Sequence, residues 1–154
     1  MSRRHALVLS LIVAAGLLAP ITSTRAADPA FCDGYANEAK EKAKLNNKLN
    51  CGFQGPRWSN DVNGHRIWCL IADQNTAQAE TNNRALDIEK CTCQWYANKA
   101  MDQVAANKAK NCGFTGLRWL DNKQAHYDWC AKIKPGLDAM MSEVKARKAQ
   151  LKGC

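Results

Sequence analysis

The stretch NCGFQGPRWSNDVNGHRIWC at Asn50–Cys69 returns as NCGFTGLRWLDNKQAHYDWC at Asn111–Cys130. Both spell N-C-G-F-x-G-x-R-W-x6-H-x2-W-C. Working outward, Cys32–Cys69 aligns with Cys93–Cys130 without a gap, and 16 of 38 positions are identical. Further on, Glu80, Arg84 and Cys91 correspond to Glu143, Arg147 and Cys154 after a two-residue insertion in the second copy. The pattern reads as a tandem duplication of a unit of about 60 residues.

Each copy opens with a helical pattern. Cys32, Tyr35, Ala36, Ala39, Ala43, Asn46 and Asn50 recur at steps of three and four, so they share one face. Cys93, Tyr96, Ala97, Ala100, Val104, Asn107 and Asn111 repeat the stripe, and Glu38, Glu41, Lys42 and Lys48 fall opposite it. An alanine-rich face lets a neighbouring helix come close but buries little area, so staples are needed. The two Gly of C-G-F-x-G then end the helix. Helical spacing resumes over Asn60–Ile71, with His65, Trp68, Cys69 and Ala72 on one side. It breaks at Ala72–Asn75, and in the second copy at Pro135-Gly136. The last segment is polar, and Glu80–Arg84 and Glu143–Arg147 are i,i+4 pairs in the favourable order. The expected fold is all-α, two disulfide-stapled three-helix units at residues 27–91 and 92–154. Only Thr92 separates Cys91 from Cys93, so one helix is expected to run from the first unit into the second.

An even set of 8 Cys in a small exported chain reads as a disulfide framework. With helices running up, down and up, the pairs are Cys32–Cys69, Cys51–Cys91, Cys93–Cys130 and Cys112–Cys154. The nested alternative, Cys32–Cys91 with Cys51–Cys69, requires a helix that in the second copy passes through Pro135, at a cost of about 3 kcal/mol. The crossed pattern is therefore preferred.

Export is read from residues 1–26. Arg3 and Arg4 precede an uncharged run over Ala6–Thr24, and Thr24-Arg25-Ala26 fits cleavage after Ala26. The competing reading, an uncleaved membrane anchor, is weakened by Pro20 and the polar Thr22-Ser23-Thr24. Removing Arg3, Arg4 and Arg25 leaves 19 basic against 14 acidic residues, a net charge of +5. Such a chain is drawn to anionic partners. Export and the lack of any binding motif argue against nucleic acid.

The candidate site residues are the duplicated ones. Arg57-Trp58 and Arg118-Trp119 follow the Gly turn. One reading makes them a recognition corner, with a flat Trp face beside a guanidinium fork. The other makes Trp a plug of the helix triplet and Arg a partner of Glu80 or Glu143. His65 and His126 read as buried His bonded to loop backbone rather than as bases or ligands, since the one nearby acid, Asp61, aligns with Asn122. Asn46, Asn50, Asn107 and Asn111 are read as buried and serving the turn. Tyr35 with Asn37, and Tyr96 with Asn98, form a second candidate ridge.

Nothing points to catalysis. Ser59 and Ser142 are the only Ser after residue 26 and are not duplicated, and no phosphate loop or metal motif occurs. The expectation is a small exported, non-enzymatic binding protein without cofactor or metal. Its partner would be an envelope glycan, an anionic polymer or another protein, as for an inhibitor or adhesin. A structural or stress-protective envelope protein is the alternative, and a small hydrolase fits least.

Overall fold

The computed structural model describes residues 26–134 and 136–154. The leader reading therefore falls, up to residue 25, outside the described residues, as does Pro135. The chain forms α1 (Pro29–Leu49), a 3-10 turn at Pro56–Trp58, α2 (Val62–Ile71), α3 (Gln74–Ala109), a 3-10 turn at Leu117–Trp119, α4 (Lys123–Ile133) and α5 (Leu137–Gly153). Helix α3 has 36 residues and runs unbroken through Cys91-Thr92-Cys93. At 1.5 Å per residue it is about 54 Å long. Helices α1 and α2 pack on each other, and α1 also packs on α3; α4 and α5 both pack on α3. No described helix is long and apolar enough to cross a membrane.

The helix ends follow local chemistry. Asp28 caps α1 by accepting from Ala30 N–H at 2.9 Å and Phe31 N–H at 3.1 Å, with Pro29 next to it. Asp73 caps α3 through Thr76 N–H. Helix α1 stops at Asn50, which adopts the left-handed conformation at φ 55°, and Asn111 matches it at φ 56°. Both asparagines are exposed. This corrects the expectation that they lie on the buried face. They stand just past the helical register, where the chain has already turned away.

Asn46 and Asn107 do serve the turn. Asn46 Nδ2 donates to Phe53 O at 2.9 Å, and Phe53 N–H donates to Asn46 Oδ1 at 3.1 Å. Asn107 makes the same pair of bonds to Phe114, at 2.8 and 3.1 Å. Each amide thus substitutes for a strand partner and closes the loop on the helix that precedes it. Gly55 and Gly116 then reach φ 90° and 89° with extended ψ, a region open only to glycine, and launch the two 3-10 turns.

The helix faces are thin. Ala36, Ala39, Ala43, Ala77, Ala97 and Ala100 have no exposed surface. Four disulfides cross this seam: Cys32–Cys69, Cys51–Cys91, Cys93–Cys130 and Cys112–Cys154, with Cα separations of 5.4 to 5.7 Å. Each closes a loop of 37 to 42 residues, a constraint worth roughly 2–4 kcal/mol. The crossed pairing is the one formed.

Asn46→Ala leaves the Phe53 N–H and C=O without their partner. We expect it to lower unfolding stability by about 1–3 kcal/mol in a denaturant titration of the oxidised protein. A change below about 0.5 kcal/mol would place the loop's anchor elsewhere.

Candidate functional site

The Gly turn sends Trp58 inward. Its ring stacks on Phe53 with centroids 4.6 Å apart, and only 9% of the residue is exposed. Trp119 stacks on Phe114 at 5.0 Å and is 7% exposed. Both indoles are wedges that hold the turn on α1 or α3. The most exposed indoles are those of Trp68 and Trp129, each 37% exposed, with Trp95 half-buried. Trp68 lies against Tyr35 at 5.3 Å, and Trp129 against Tyr96 at 5.1 Å.

Arg57, whose guanidinium lies 5.3 Å from the Trp58 ring centre, reaches α3, and Arg118 reaches α5. Arg57 Nε donates to Glu80 Oε1 at 2.5 Å and its Nη1 donates to Asp87 Oδ2 at 2.8 Å. Arg118 grips Glu143 with both ends of its fork, Nε to Oε1 at 2.7 Å and Nη2 to Oε2 at 3.0 Å. Burial works against the Arg57 charge, but the bonds to Glu80 and Asp87 outweigh it and raise its pKa above the ordinary value.

A second arginine completes each network. Arg84 and Arg147 are 1% exposed and are among the largest fully buried side chains. The expected i,i+4 pairs Glu80–Arg84 and Glu143–Arg147 both form, with the arginine end buried. Arg84 Nη2 donates to Tyr35 Oη at 3.1 Å and to Glu80 Oε1 at 3.1 Å, with its guanidinium 5.2 Å from the Tyr35 ring centre. Arg147 Nη2 donates to Tyr96 Oη at 2.9 Å, and lies 3.6 Å from Glu143 Oε1. Burial pushes both tyrosine hydroxyls above their ordinary pKa, only partly offset by the arginines. Nε and Nη1 of Arg84, Nη2 of Arg57, and Nε and Nη1 of Arg147 are buried without a protein acceptor.

These side chains line a cavity of about 540 Å³. Tyr35, Trp68, His65, Arg57, Glu80 and Arg84 contribute to its wall. The matching residues Tyr96, Trp129, His126, Arg118, Glu143 and Arg147 line another of about 260 Å³. The size difference follows from substitution. Pro56, Ser59 and Gly64 line the first, where Leu117, Leu120 and Ala125 line the second. Gly64 also admits the Asp61 carboxylate, since a methyl group there would come within 2.7 Å of Asp61 Oδ2. Asp61 lines the first cavity and makes no side-chain cap bond to its helix. Its counterpart Asn122 instead caps α4 by accepting from Ala125 N–H at 3.1 Å.

The histidines orient the loops. His65 Nε2 donates to Ser59 O at 2.9 Å, and His126 Nε2 donates to Leu120 O at 2.9 Å. A carbonyl can only accept, so each Nε2 carries hydrogen. Each ring also sits edge-on to its tyrosine, 6.2 Å from Tyr35 and 6.3 Å from Tyr96. Of the proposed ridge, Tyr35 and Tyr96 turn into the cavities. Asn37 stays on the outer face of α1, bonded to Asp33 O at 2.9 Å. Asn98 lies in a separate cleft beside Trp95. Among the described residues no group of three or more His, Cys, Asp or Glu is placed to hold a metal ion.

Sequence reasoning missed Arg84, Arg147, Trp68 and Trp129 as cavity residues. The signal was present, because all four positions are identical in the two matching stretches. No protein-family model, curated protein or solved structure matches the chain.

Burial depresses the His126 pKa below 6.5, against a smaller opposing effect of its bond to Leu120 O. The fold therefore prefers the neutral ring. Its contribution to stability is complete above pH 6.5 and is lost as pH falls through the depressed value. An NMR titration should place His126 below the value of the denatured chain. Titration at or above that value would mean that the ring is solvated.

Proposed function

We propose that the protein is an exported, non-catalytic binding protein made of two copies of one three-helix disulfide unit, and that each copy's cavity receives a sugar ring of an envelope glycan. The carrying observation is one combination of groups in one cavity. An aromatic wall, Tyr35–Trp68, stands beside the fixed polar chain Arg57–Glu80–Arg84. A sugar ring has an apolar C–H face and a hydroxyl edge, and this wall offers a surface for each. The first cavity's volume of about 540 Å³ is within the usual range for small ligands.

Charge favours a neutral ring in this cavity. Arg57 and Arg84 are answered there by Glu80 and Asp61, and Asp87 holds the far end of Arg57. The network is already braced before binding, which lowers the ordering cost. Two cavities that share six matching wall residues, on a chain joined by a continuous helix, suit a repetitive ligand, because the second contact is intramolecular. Four disulfides support an oxidising compartment, and the leader pattern over residues 1–26 supports export. The exposed Trp68 and Trp129 favour binding over a purely structural role, in which all Trp would be core.

Titrating the oxidised protein with a neutral hexamer of β-1,4-linked N-acetylglucosamine should give a saturable shift in tryptophan emission. Trp68→Ala combined with Trp129→Ala should weaken it by about tenfold or more, the loss expected of anchor residues, with helical circular dichroism unchanged. Emission that does not move with this or other neutral oligosaccharides would overturn the glycan reading.

A further inference from the structure

We propose a second, chemically distinct site for an acidic saccharide chain, in the cleft where the end of α1 meets the middle of α3 and the start of α4. This cleft has a volume of about 700 Å³ and shares no residue with either cavity. Lys48, Lys90 and Lys99 line it together with Trp95, Tyr127 and Asn98, and no carboxylate does. Lys48 and Lys90 pair with no acid among the described residues. Of the three lysines only Lys99 has an acidic partner, Asp102 at 3.6 Å, while Glu89 holds Lys134 at 3.2 Å and Asp128 accepts from Gln124 at 2.7 Å.

The repeat itself singles out this surface. Tyr96, Ala97 and Asn98 keep the residues of Tyr35, Ala36 and Asn37, yet the positions around them change character. Asp33, Gly34, Glu38 and Arg66 of the first stretch become Gln94, Trp95, Lys99 and Tyr127 of the second. Two acids are replaced by an amide and a base, and two aromatic rings are gained. All four changed residues line the cleft. In the first stretch, Asp33 and Arg66 simply pair with each other. Trp95 and Tyr127 pack against the buried cluster of Cys93, Tyr96, Cys130 and Met140 and keep part of each ring open to the junction.

The chemistry selects the ligand. Half-buried Trp95 and Tyr127 offer ring faces, Asn98 offers an amide for hydroxyls, and the lysines offer point charges for carboxylates. The Cys51–Cys91 disulfide ties the two walls together, and both its residues line the cleft. The site is therefore held open before binding.

The test uses the full chain expressed with its own leader and recovered oxidised, with calorimetric titration of hexagalacturonate, neutral maltohexaose and inorganic polyphosphate. Saturable binding of hexagalacturonate is expected, weakening as salt is raised. Lys48→Gln with Lys90→Gln should reduce its affinity by about tenfold. So should Lys99→Glu with Tyr127→Arg, which restore the first stretch's residues. Trp68→Ala, in the cavity, should leave it unchanged, so that failure of one site is not mistaken for failure of the other. The proposal is overturned if hexagalacturonate does not bind, or if the cleft variants bind it as the parent does. Polyphosphate binding at least as tight would also sink it, because charge alone would then explain the cleft, as would a loss confined to Trp68→Ala.

Discussion

The close approach of alanine faces sets the terms for the rest of the molecule. Ala36, Ala39 and Ala43 on α1 and Ala77, Ala97 and Ala100 on α3 are fully enclosed. Each contributes only a methyl group, on the order of 0.8 kcal/mol of apolar transfer. A seam this thin cannot outweigh the entropy of ordering its helices without help. The disulfides supply part of that help, each tying a residue near the end of a helix to another helix, two of them to the middle of α3. The remaining help comes from large side chains placed beside the seam rather than in it. Those side chains form the cavity walls, so architecture and candidate site have one cause.

The buried arginines show the same economy. An isolated charge in such a place would be costly, and Arg84 and Arg147 are tolerated because each bonds a tyrosine hydroxyl and lies beside a glutamate. Arg57 and Arg118 close the network from the loop side. A chain of alternating charge results, fixed between α1 or α3 and the polar helix behind it. It stands beside an indole that solvent can reach, Trp68 or Trp129. That asymmetry, an apolar ring beside a rigid polar edge, is the basis on which we propose a small ring-shaped polar ligand.

Much of this was legible in the sequence. Helical spacing located α1 and α2, the Gly turn marked their break, and counting Cys against helix direction selected the disulfide pairing. The amide roles of Asn46 and Asn107 followed from their place on an apolar face. Other features were hidden for physical reasons. A Glu and an Arg four residues apart look the same whether solvent or a tyrosine faces them, and only the crossing of α1 over α3 brings Tyr35 to Arg84. Trp58 and Trp68 both follow the turn, but the conformation of Gly55 decides which indole is folded under. Asn50 kept the helical spacing and still fell outside, because a stripe cannot show where the helix stops. The junction cleft was hidden differently: it lies where the two matching stretches disagree.

Both the cavities and the cleft require the crossed disulfides, and one peptide reports on them. Trypsin releases CTCQWYANK, residues 91–99, which carries both Cys91 and Cys93. Mass spectrometry of the unreduced digest should find it joined to LNCGFQGPR through Cys51 and to QAHYDWCAK through Cys130. If residues 91–99 are instead joined to the peptides holding Cys32 and Cys154, the pairing is nested. The helices would then be arranged differently, and neither the cavities nor the cleft would exist as described.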